Sequence, residues 1–376
     1  MVDSVKRSTL ASAALTGAVM MVAAASAAGA GTGSGASFPA LVYTDWCQNI
    51  GCSYTSKGSS GGIQDFIAGT VDFAGSDAIM SSDQVSDLAA KRGGVSPLYF
   101  PTVLGAITVP TNTSAGRLRL DGKVLGEIFS GGITKWNDSR ITRLNRGKSL
   151  PNADITVCVR SDGSGTSYGF TNYLNKVSLN FRKKVGSASQ TPAWTAPRIV
   201  RGAKNPGVAQ CIKDNSNSIG YVDLGDAQNA GLASNIAAIG KYERRTVRIK
   251  KRVKVRGKVV VKRVRVKRTK LVFSLPSVKT ISAAGTLRSY NLSNPAKIQR
   301  DLVNSTATGA YPITITTFVL AYSSFAKAGK SGSVADTKAF LNYAYGAGQR
   351  NVTKFAFAPL PKGMLAAAKT RAAALK

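Results

Sequence analysis

The chain of 376 residues contains no histidine, only four cysteines and only 18 acidic residues. The lack of histidine excludes a Ser-His-Asp triad and a Cys-His dyad, and it removes the imidazole ligands on which most zinc sites depend. Four cysteines are too few for a disulfide-built scaffold in a chain of this length. Beyond the N-terminal region, no apolar run is long enough to cross a bilayer. We therefore expect a mature chain that is not an enzyme, holds no metal or cofactor, and does not span a membrane.

The four cysteines fit an oxidising compartment. Cys47 and Cys52 flank a short turn, so their spacing favours a local bridge, and by elimination Cys158 and Cys211 would form a second pair. Free buried thiols are the alternative, because cysteine is among the most buried residue types.

The N-terminus has the pattern of a cleaved secretory signal. Lys6 and Arg7 precede an apolar run that ends at the small-residue site Ala25-Ser26-Ala27. The pattern predicts a signal peptide over residues 1–27 and a mature chain outside the cytoplasmic membrane, either secreted or periplasmic. A membrane anchor is the alternative, but the run falls short of a span of roughly 20 residues.

Positive charge dominates the chain, with 51 Lys and Arg against 18 Asp and Glu. Residues 241–270 hold sixteen of these cations and one acid, Glu243. The rest still carries 35 basic and 17 acidic residues, so the whole surface attracts anions.

The segment "RRTVRIKKRVKVRGKVVVKRVRVKR" alternates β-branched and cationic residues, which predicts a β-hairpin with one apolar and one charged face. A turn at Arg256-Gly257 would set Val253 against Val260, Ile249 against Val264, Val247 against Val266 and Lys251 against Lys262. The hairpin either binds a polyanion or is a solvated element whose lysines prevent edge aggregation. The lack of a stacking aromatic residue disfavours nucleic acid and favours an anionic cell-wall polymer.

Three stretches place Ser or Thr and Gly where a helix is expected to begin. They are residues 33–40 ("GSGASFPA", with Pro39 at the first helical position), residues 58–62 ("GSSGG") and residues 162–166 ("DGSGT"). Unpaired backbone N–H groups and the helix dipole favour an anion at such a start. Each stretch alone is ordinary capping and turn chemistry, whereas three in one chain are more informative.

Two charged residues accompany these turns. Arg160 lies two residues before the third turn, where its planar guanidinium suits bidentate contact with a tetrahedral oxyanion. A surface salt bridge is the alternative for Arg160. Asp77 ends a short apolar run in "VDFAGSDAIMS" and could lie at a strand tip near the same cleft or serve as a helix cap.

These stretches, together with "YFPTVLGAITVP", "LDGKVLGEIFSGGITKWND", "GAKNPGV", "SIGYVDL" and "AYPITITTFVL", occur in the order found in one known family. The chain resembles the phosphate-binding proteins of bacterial phosphate ABC transporters, which are periplasmic-type substrate-binding proteins. Carried over by position, the resemblance implies phosphate ligands at Ser37, Phe38, Ser59, Asp77, Arg160, Ser164, Gly165 and Thr166.

Two features depart from the family pattern. The connection between Trp46 and Gly58 is shorter than usual, and Cys47 and Cys52 bracket it. The basic hairpin is an insertion that lies away from the matched ligand stretches.

The resemblance implies an α/β fold of two lobes, of the type II periplasmic-binding-protein architecture, with the ligand in the cleft between the lobes. One lobe would combine residues 28–105 with 311–376, and the other would span residues 106–310 and include the hairpin at about residues 243–273. The implied function is capture of inorganic phosphate by a monomer for ATP-driven import, with the permease and ATPase subunits of the transporter as partners. A wall-bound polyanion scaffold that has lost transport is the alternative.

Overall fold

The computed structural model describes residues 31–376 except residue 288, and the side chains of residues 245, 255, 258 and 262 are also not described. The predicted signal peptide at residues 1–27 therefore lies outside the described residues. Within them, α-helices and β-strands alternate along most of the chain, so the predicted α/β fold class is confirmed.

The strands form three sheets. In chain order the strands are β1 (Thr32–Gly35), β2 (Ser53–Ser56), β3 (Phe73–Ser76), β4 (Pro97–Thr108), β5 (Thr111–Asn112), β6 (Arg119–Asp121), β7 (Thr156–Arg160), β8 (Ile199–Gly202), β9 (Ser218–Gly220), β10 (Val222–Asp223), β11 (Ala238–Val255), β12 (Lys258–Ser274) and β13 (Thr314–Tyr322). The first sheet has the order β10-β4-β13-β3-β1-β2, the second β5-β9-β7-β8, and the third β12-β11-β6.

Helices cover the sheets and connect their strands. They are α1 (Ala40–Ile50), α2 (Ser59–Ala68), α3 (Ser82–Lys91), α4 (Gly122–Phe129), α5 (Ser139–Leu144), α6 (Gly165–Val177), α7 (Leu179–Lys184), α8 (Lys204–Asp214), α9 (Leu224–Asn229), α10 (Val278–Ala284), α11 (Pro295–Leu302), α12 (Ser333–Tyr345), α13 (Gly348–Asn351) and α14 (Lys362–Ala373). Short 3-10 turns lie at Ala233–Asn235 and Val352–Phe355.

The three helices predicted after the Ser- and Gly-rich turns are α1, α2 and α6, and all three are confirmed. Pro39 is at the N-cap of α1 and not at the first helical position, so that prediction was wrong by one residue. Gly58 precedes α2 with a φ of 80°, a conformation that glycine adopts without a steric penalty. Ser164 caps α6 because its hydroxyl accepts a hydrogen bond from a backbone N–H of the first turn.

The first sheet mixes parallel and antiparallel pairs. β1 is parallel to β2 and β3, whereas β13 is antiparallel to β3 and β4. Every residue of β13 is buried, as is nearly all of β4. β10 pairs with β4 at the far edge.

In the second sheet, β7 is parallel to β8 and β9. Both predicted disulfides are present: Cys158 of β7 is bonded to Cys211 of α8, and Cys47 of α1 is bonded to Cys52. The alternative of free thiols is therefore wrong.

β11 and β12 pair antiparallel from Ile239 opposite Ser274 to Val255 opposite Lys258, with Arg256 and Gly257 between them at φ 47° and 79°. Two positive φ values suit a two-residue turn that matches the twist of the strands. The register sets Val247 opposite Val266, Ile249 opposite Val264, Lys251 opposite Lys262 and Val253 opposite Val260. The paired strands extend beyond residues 243–273, because β11 pairs with β12 from Ile239, opposite Ser274, and the first residues of β11 also pair with β6.

Two groups of aromatic rings in mutual contact lie in the core. Tyr43, Trp46, Phe73 and Phe340 pack beside the first sheet, with ring centroids 4.3 to 5.8 Å apart. Phe129, Phe170, Trp194 and Tyr221 pack beside the second sheet at 4.6 to 6.5 Å. Each large sheet thus has its own aromatic core.

Candidate functional site

The predicted ligands of the first part of the chain follow three neighbouring parallel strands. Gly35 of β1 lies opposite Ser56 of β2 and Gly75 of β3. Ser37, Ser59 and Asp77 come shortly after these positions, at the carboxyl ends of the strands. In open α/β sheets this edge is where ligands bind.

The remaining predicted ligands follow a strand of the second sheet. Arg160 is the last residue of β7, and Ser164, Gly165 and Thr166 form the cap and first turn of α6. The first N–H groups of a helix have no partner within the helix, so those of Gly165 and Thr166 can bind an anion.

The structure brings the two sets together. The backbone N–H of Asp77 donates to Ser59 Oγ at 3.2 Å, and the N–H of Ser60 donates to the Gly163 carbonyl at 3.2 Å. A Cβ on Gly165 would be 2.3 Å from Ser59 Oγ and 2.7 Å from Asp77 Oδ2. Only glycine therefore allows the start of α6 to approach Ser59 and Asp77 so closely.

The assembled site is closed. Ser37, Ser59, Asp77, Arg160, Ser164 and Thr166 are all at most 4% exposed. The ring of Phe38 packs edge-on against Phe357, with centroids 5.3 Å apart, so only the backbone of Phe38 can contribute to the site. Buried hydrogen bonds and charges interact more strongly than exposed ones, because water does not screen them.

The guanidinium of Arg160 is held in place before any ligand arrives. Nε donates to Asp162 Oδ1 at 2.9 Å, Nη2 also pairs with the Asp162 carboxylate, and Nη1 donates to Asn205 Oδ1 at 3.0 Å. The alternative for Arg160 was a surface salt bridge: the ion pair is present, with Asp162, but it is not at the surface, because the Arg160 side chain is only 2% exposed. The second N–H of Nη1 makes only a long contact of 3.5 Å with Thr166 Oγ1, so this group and the second N–H of Nη2 can donate to an anion.

Asp162 is the counter-charge of Arg160. Burial raises the pKa of Asp162, but its hydrogen bond with Arg160 and the Arg160 charge outweigh burial and keep this pKa below its usual value. Asp162 also accepts from the Lys204 N–H at 2.8 Å. Sequence reasoning missed the positioning roles of Asp162 and Asn205, although "SDGSG" contains the first of them.

Asp77 is the most unusual group in the site. Its carboxylate is buried, and neither oxygen has a hydrogen-bond partner among the described residues. Burial raises the pKa of Asp77 to about 7, while the nearby Thr317 hydroxyl and the Arg160 charge oppose the shift. Thr317 is close enough to lower this pKa, although its geometry falls short of a hydrogen bond. Such an unsatisfied group needs an explanation, since nearly all buried polar groups are paired.

Two hydroxyl groups share this condition. The hydroxyl oxygens of Ser37 and Thr317 are buried without a hydrogen-bond partner among the described residues. Together with Asp77 they provide two possible donors and an acceptor, all of them buried. An anion that both accepts hydrogen bonds and carries a proton would satisfy all three groups.

Thr317 is a site residue that sequence reasoning missed. In the β3–β13 pairing Phe318 is opposite Ser76, so Thr317 occupies the next position, opposite Asp77. The pairing of β13 with β4 shifts register between Thr317 and Phe318, and such a bulge redirects side chains. The only sequence signal was a pair of threonines in the apolar run "AYPITITTFVL".

Gln299 of α11 fixes the backbone at this point. Its Nε2 donates to the Asp77 carbonyl at 2.8 Å and to the Thr316 carbonyl at 2.6 Å, and its Oε1 accepts from the Thr316 N–H at 3.1 Å. The amide therefore joins Asp77 to β13 where the strand pairing ends. No signal in the sequence identified Gln299.

Neither a metal cluster nor a spanning helix is found in residues 31–376 as described. No group of three or more Cys, Asp or Glu residues there could hold a metal ion. No helix of that part is long and apolar enough to cross a membrane.

The fold and the closed site between two sheets are those of a periplasmic-type binding protein. A family model described as a PBP superfamily domain matches residues 22–347, which is most of the chain. The phosphate-binding protein PstS of Haemophilus influenzae is 32% identical over 349 residues, covering 90% of this chain and 91% of that protein. PstS of Xylella fastidiosa strain Temecula1 is 30% identical over 344 residues, which covers 88% of this chain and 82% of that protein.

Solved structures agree with this fold. A phosphate-binding protein from Stenotrophomonas maltophilia superimposes with a TM-score of 0.65 at 21% identity, covering 90% of this chain and 93% of that one. A periplasmic phosphate-binding protein, PfluDING, solved with bound phosphate, gives a TM-score of 0.63 at 20% identity. The chain belongs to the PBP superfamily and, within it, to the phosphate-binding proteins of the PstS family.

Proposed function

We propose that this protein captures inorganic phosphate outside the cytoplasmic membrane and delivers it to the permease and ATPase subunits of a phosphate ABC transporter. The observation that carries the proposal is the buried, unpartnered carboxylate of Asp77 beside the preorganised guanidinium of Arg160. Phosphate near neutral pH offers a proton to the first and negative oxygens to the second. The protein acts as a monomer and catalyses no reaction.

The proposed ligand set supplies hydrogen-bond donors from both sheets and one acceptor, the Asp77 carboxylate. It comprises the side chains or backbone N–H groups of Ser37, Phe38, Ser59, Asp77, Arg160, Ser164, Gly165 and Thr166. A buried phosphate requires many hydrogen bonds to offset its lost hydration. Backbone N–H groups and hydroxyls can supply them without adding further charge.

Two lobes, of residues 28–105 with 311–376 and of residues 106–310, would close on the ligand. β4 and β13 would then form the crossing strands between them. Because Gln299 is bonded to Asp77 and Thr316, we place α11 with the first sheet during this motion. Closure of this kind assembles a site from residues far apart in the chain.

Release of phosphate on denaturation tests the proposal. Protein purified from phosphate-containing medium and washed extensively should release about one phosphate per chain when unfolded in acid. After refolding without phosphate, calorimetric titration should show one saturable site. The alternative, a wall-bound scaffold that has lost transport, predicts neither phosphate release nor a phosphate-dependent heat. A protein that passes both measurements excludes that scaffold.

The basic hairpin supports a second, separate role in binding anionic cell-wall polymer. Its strands carry exposed cations along most of their length, including Arg248, Lys250, Arg252 and Arg265. Replacing residues 244–270 with an Asn-Gly-Lys turn should leave phosphate affinity unchanged and lower retention on cells at low salt. Equal retention of both proteins would mean that the hairpin is only a solvated surface.

A further inference from the structure

A cavity at the base of the hairpin is lined by cations. It has a volume of about 570 Å³ and contains Arg117, Arg119, Arg146 and Lys148, with no Asp or Glu in its lining. None of these four cations forms an ion pair with a described carboxylate. The cavity thus has a strongly positive electrostatic potential that no acidic residue of its lining reduces, which favours an anionic ligand.

The cavity also has an apolar side. Phe273 and Leu275 line it, and Leu275 is 37% exposed. The Arg119 guanidinium lies over the Phe273 ring at 5.6 Å from its centroid, which holds this cation at the cavity wall. A ligand that fits must therefore combine negative charge with a carbon skeleton.

The walls of the cavity are preformed. Asn145 is 4% exposed, and its side chain accepts from the Arg119 N–H and donates to the Arg119 carbonyl, both at 2.8 Å. The same amide donates to the Ile141 carbonyl of α5 at 3.0 Å. β6 is therefore fixed against the end of α5. Binding of a ligand would lose little free energy to ordering of the backbone, because that backbone is already held in place.

The cavity continues into one face of the hairpin. Arg119 is opposite Ala238, and Phe273 is opposite Gly240, so these residues share the even-numbered face of β11. Side chains two residues apart along a strand point to the same face. On that face, beyond the cavity, lie the exposed cations Arg248, Lys250, Arg252, Lys254, Arg263 and Arg265.

The opposite face differs. In the middle of the hairpin it carries the half-buried residues Val247, Ile249, Val264 and Val266, interrupted by Lys251 and Lys262, and nearer the base Arg268 and Lys270 also have register positions on it. Between residues 247 and 266, cations are thus more numerous on the face that leads into the cavity. Because a two-stranded ribbon twists strongly, this track winds along its axis, and only a flexible chain could follow it.

We infer that the cavity and the even-numbered face of the hairpin form one binding track for a flexible, linear phosphodiester polymer, separate from the phosphate site. The inference rests on the proposed polymer role of the hairpin and names its face, its end pocket and its ligand. Guanidinium groups recognise phosphate with two parallel hydrogen bonds, and successive cations on one strand face are about 7 Å apart. The cavity would hold the phosphate and carbon skeleton of one terminal unit.

Single-stranded nucleic acid fits less well. Residues 244–270 contain no aromatic side chain on which bases could stack, and the aromatic residues of this face, Tyr242 and Phe273, lie only at its cavity end. The structure favours a polymer whose repeating unit is a phosphate and a small polyol.

Three variants of equal charge test the track. The cavity variant is R117S/R119S/R146S, the face variant is R248S/K250S/R252S, and the control is K91S/K327S/K369S, which removes three exposed lysines elsewhere. Fluorescently labelled poly(glycerol phosphate) is titrated with each mature protein over a range of salt. Phosphate is titrated calorimetrically into the same samples.

We expect the cavity and face variants each to bind poly(glycerol phosphate) at least tenfold more weakly than the control at low salt. Their plots of log affinity against log salt should be shallower by about 2, as expected when three contacts with a single chain are lost. Phosphate affinity should be equal in all proteins, so a failed phosphate site would be detected independently. A cavity variant that matches the control would overturn the inference. So would tighter binding of an oligothymidylate with the same number of charges, because that result would assign the track to nucleic acid.

Discussion

Replacing Asp77 with asparagine should change how the stability of the phosphate-free protein depends on pH. Burial raises the pKa of Asp77 from 3.8 to about 7, and neither carboxylate oxygen has a partner among the described residues. The folded state therefore retains a proton that the unfolded chain loses above about pH 4. As the pH rises from about 4 to about 7, the contribution of Asp77 lowers the free energy of unfolding of the wild type, and above about pH 7 this contribution becomes constant.

The magnitude follows from the difference between the two pKa values. A rise from 3.8 to about 7 is roughly 3 units, and one unit corresponds to about 1.4 kcal/mol. The wild type should therefore lose about 4 kcal/mol over the full range and about 3 kcal/mol between pH 5 and pH 8 through this one group. The amide of the D77N variant cannot titrate, so the variant lacks this loss.

Urea unfolding of both proteins, stripped of phosphate, measures the effect. The stability of D77N relative to wild type should increase by about 3 kcal/mol from pH 5 to pH 8. Asp223 and Asp226, whose pKa values burial also raises, titrate in both proteins and cancel in the difference. A difference that is constant with pH would mean that Asp77 has a normal pKa and is solvated or paired in solution.

The same substitution should change anion selectivity. Phosphate can donate a proton to Asp77, whereas sulfate is fully deprotonated and would face the carboxylate with no donor between them. In sites built on hydrogen bonds such a mismatch can produce a preference of about 10⁴ to 10⁵. Wild type should therefore bind phosphate in a large excess of sulfate, and D77N should lose much of this preference. If the variant still ignores sulfate, selectivity arises from other groups.

Two further substitutions probe the neighbours of Asp77. Arg160→Ala should weaken phosphate binding more than tenfold, because losing one partner of a buried charged pair costs about 2 to 5 kcal/mol and also leaves Asp162 without its counter-charge. An unchanged affinity in calorimetry would remove Arg160 from the site. Thr317→Val keeps the shape of the side chain but removes a hydroxyl that lowers the pKa of Asp77. The pH at which half of the stability loss has occurred should therefore be higher in T317V than in the wild type. A midpoint that does not move would show that this hydroxyl has no influence on the carboxylate.

The parts of the site that sequence could predict are those with a local signature. Helix starts depend on a few adjacent residues, so the turns before α1, α2 and α6 were recognisable from Ser, Gly and Pro alone. The disulfides followed from there being only four cysteines. Asp77 was recognisable as a carboxylate at the end of an apolar run and Arg160 as a guanidinium just before the third Ser- and Gly-rich turn, and the family resemblance assigned both residues to the site.

The parts that sequence reasoning missed depend on long-range pairing. Gln299 is 222 residues from Asp77 in the chain, and it reaches that residue only because α11 packs against β13. Thr317 faces Asp77 through the register of β3 with β13, and no short motif encodes that register. Asn205 contacts Arg160 across 45 residues for the same reason.

The anchoring of the hairpin determines where it can be removed without damage to the phosphate site. Lys241 is 6% exposed and donates to the Ser305 carbonyl at 2.9 Å and the Ala307 carbonyl at 2.7 Å, and Glu243 accepts from the Gly309 N–H at 3.0 Å. Ser305, Ala307 and Gly309 belong to the loop that follows α11, and α11 is the helix that carries Gln299. A deletion that included residues 241 and 243 would therefore leave buried carbonyls unpaired close to the helix that holds Asp77.

A deletion of residues 244–270 avoids this problem. It keeps the Lys241–Glu243 ion pair, and the Asn-Gly-Lys replacement restores a lysine opposite Glu243, as Lys270 is in the intact protein. The Asn-Gly turn suits the twist of the shortened strands. With this boundary, loss of polymer binding can be separated from loss of phosphate binding, because the contacts from the hairpin base to the loop after α11 remain intact.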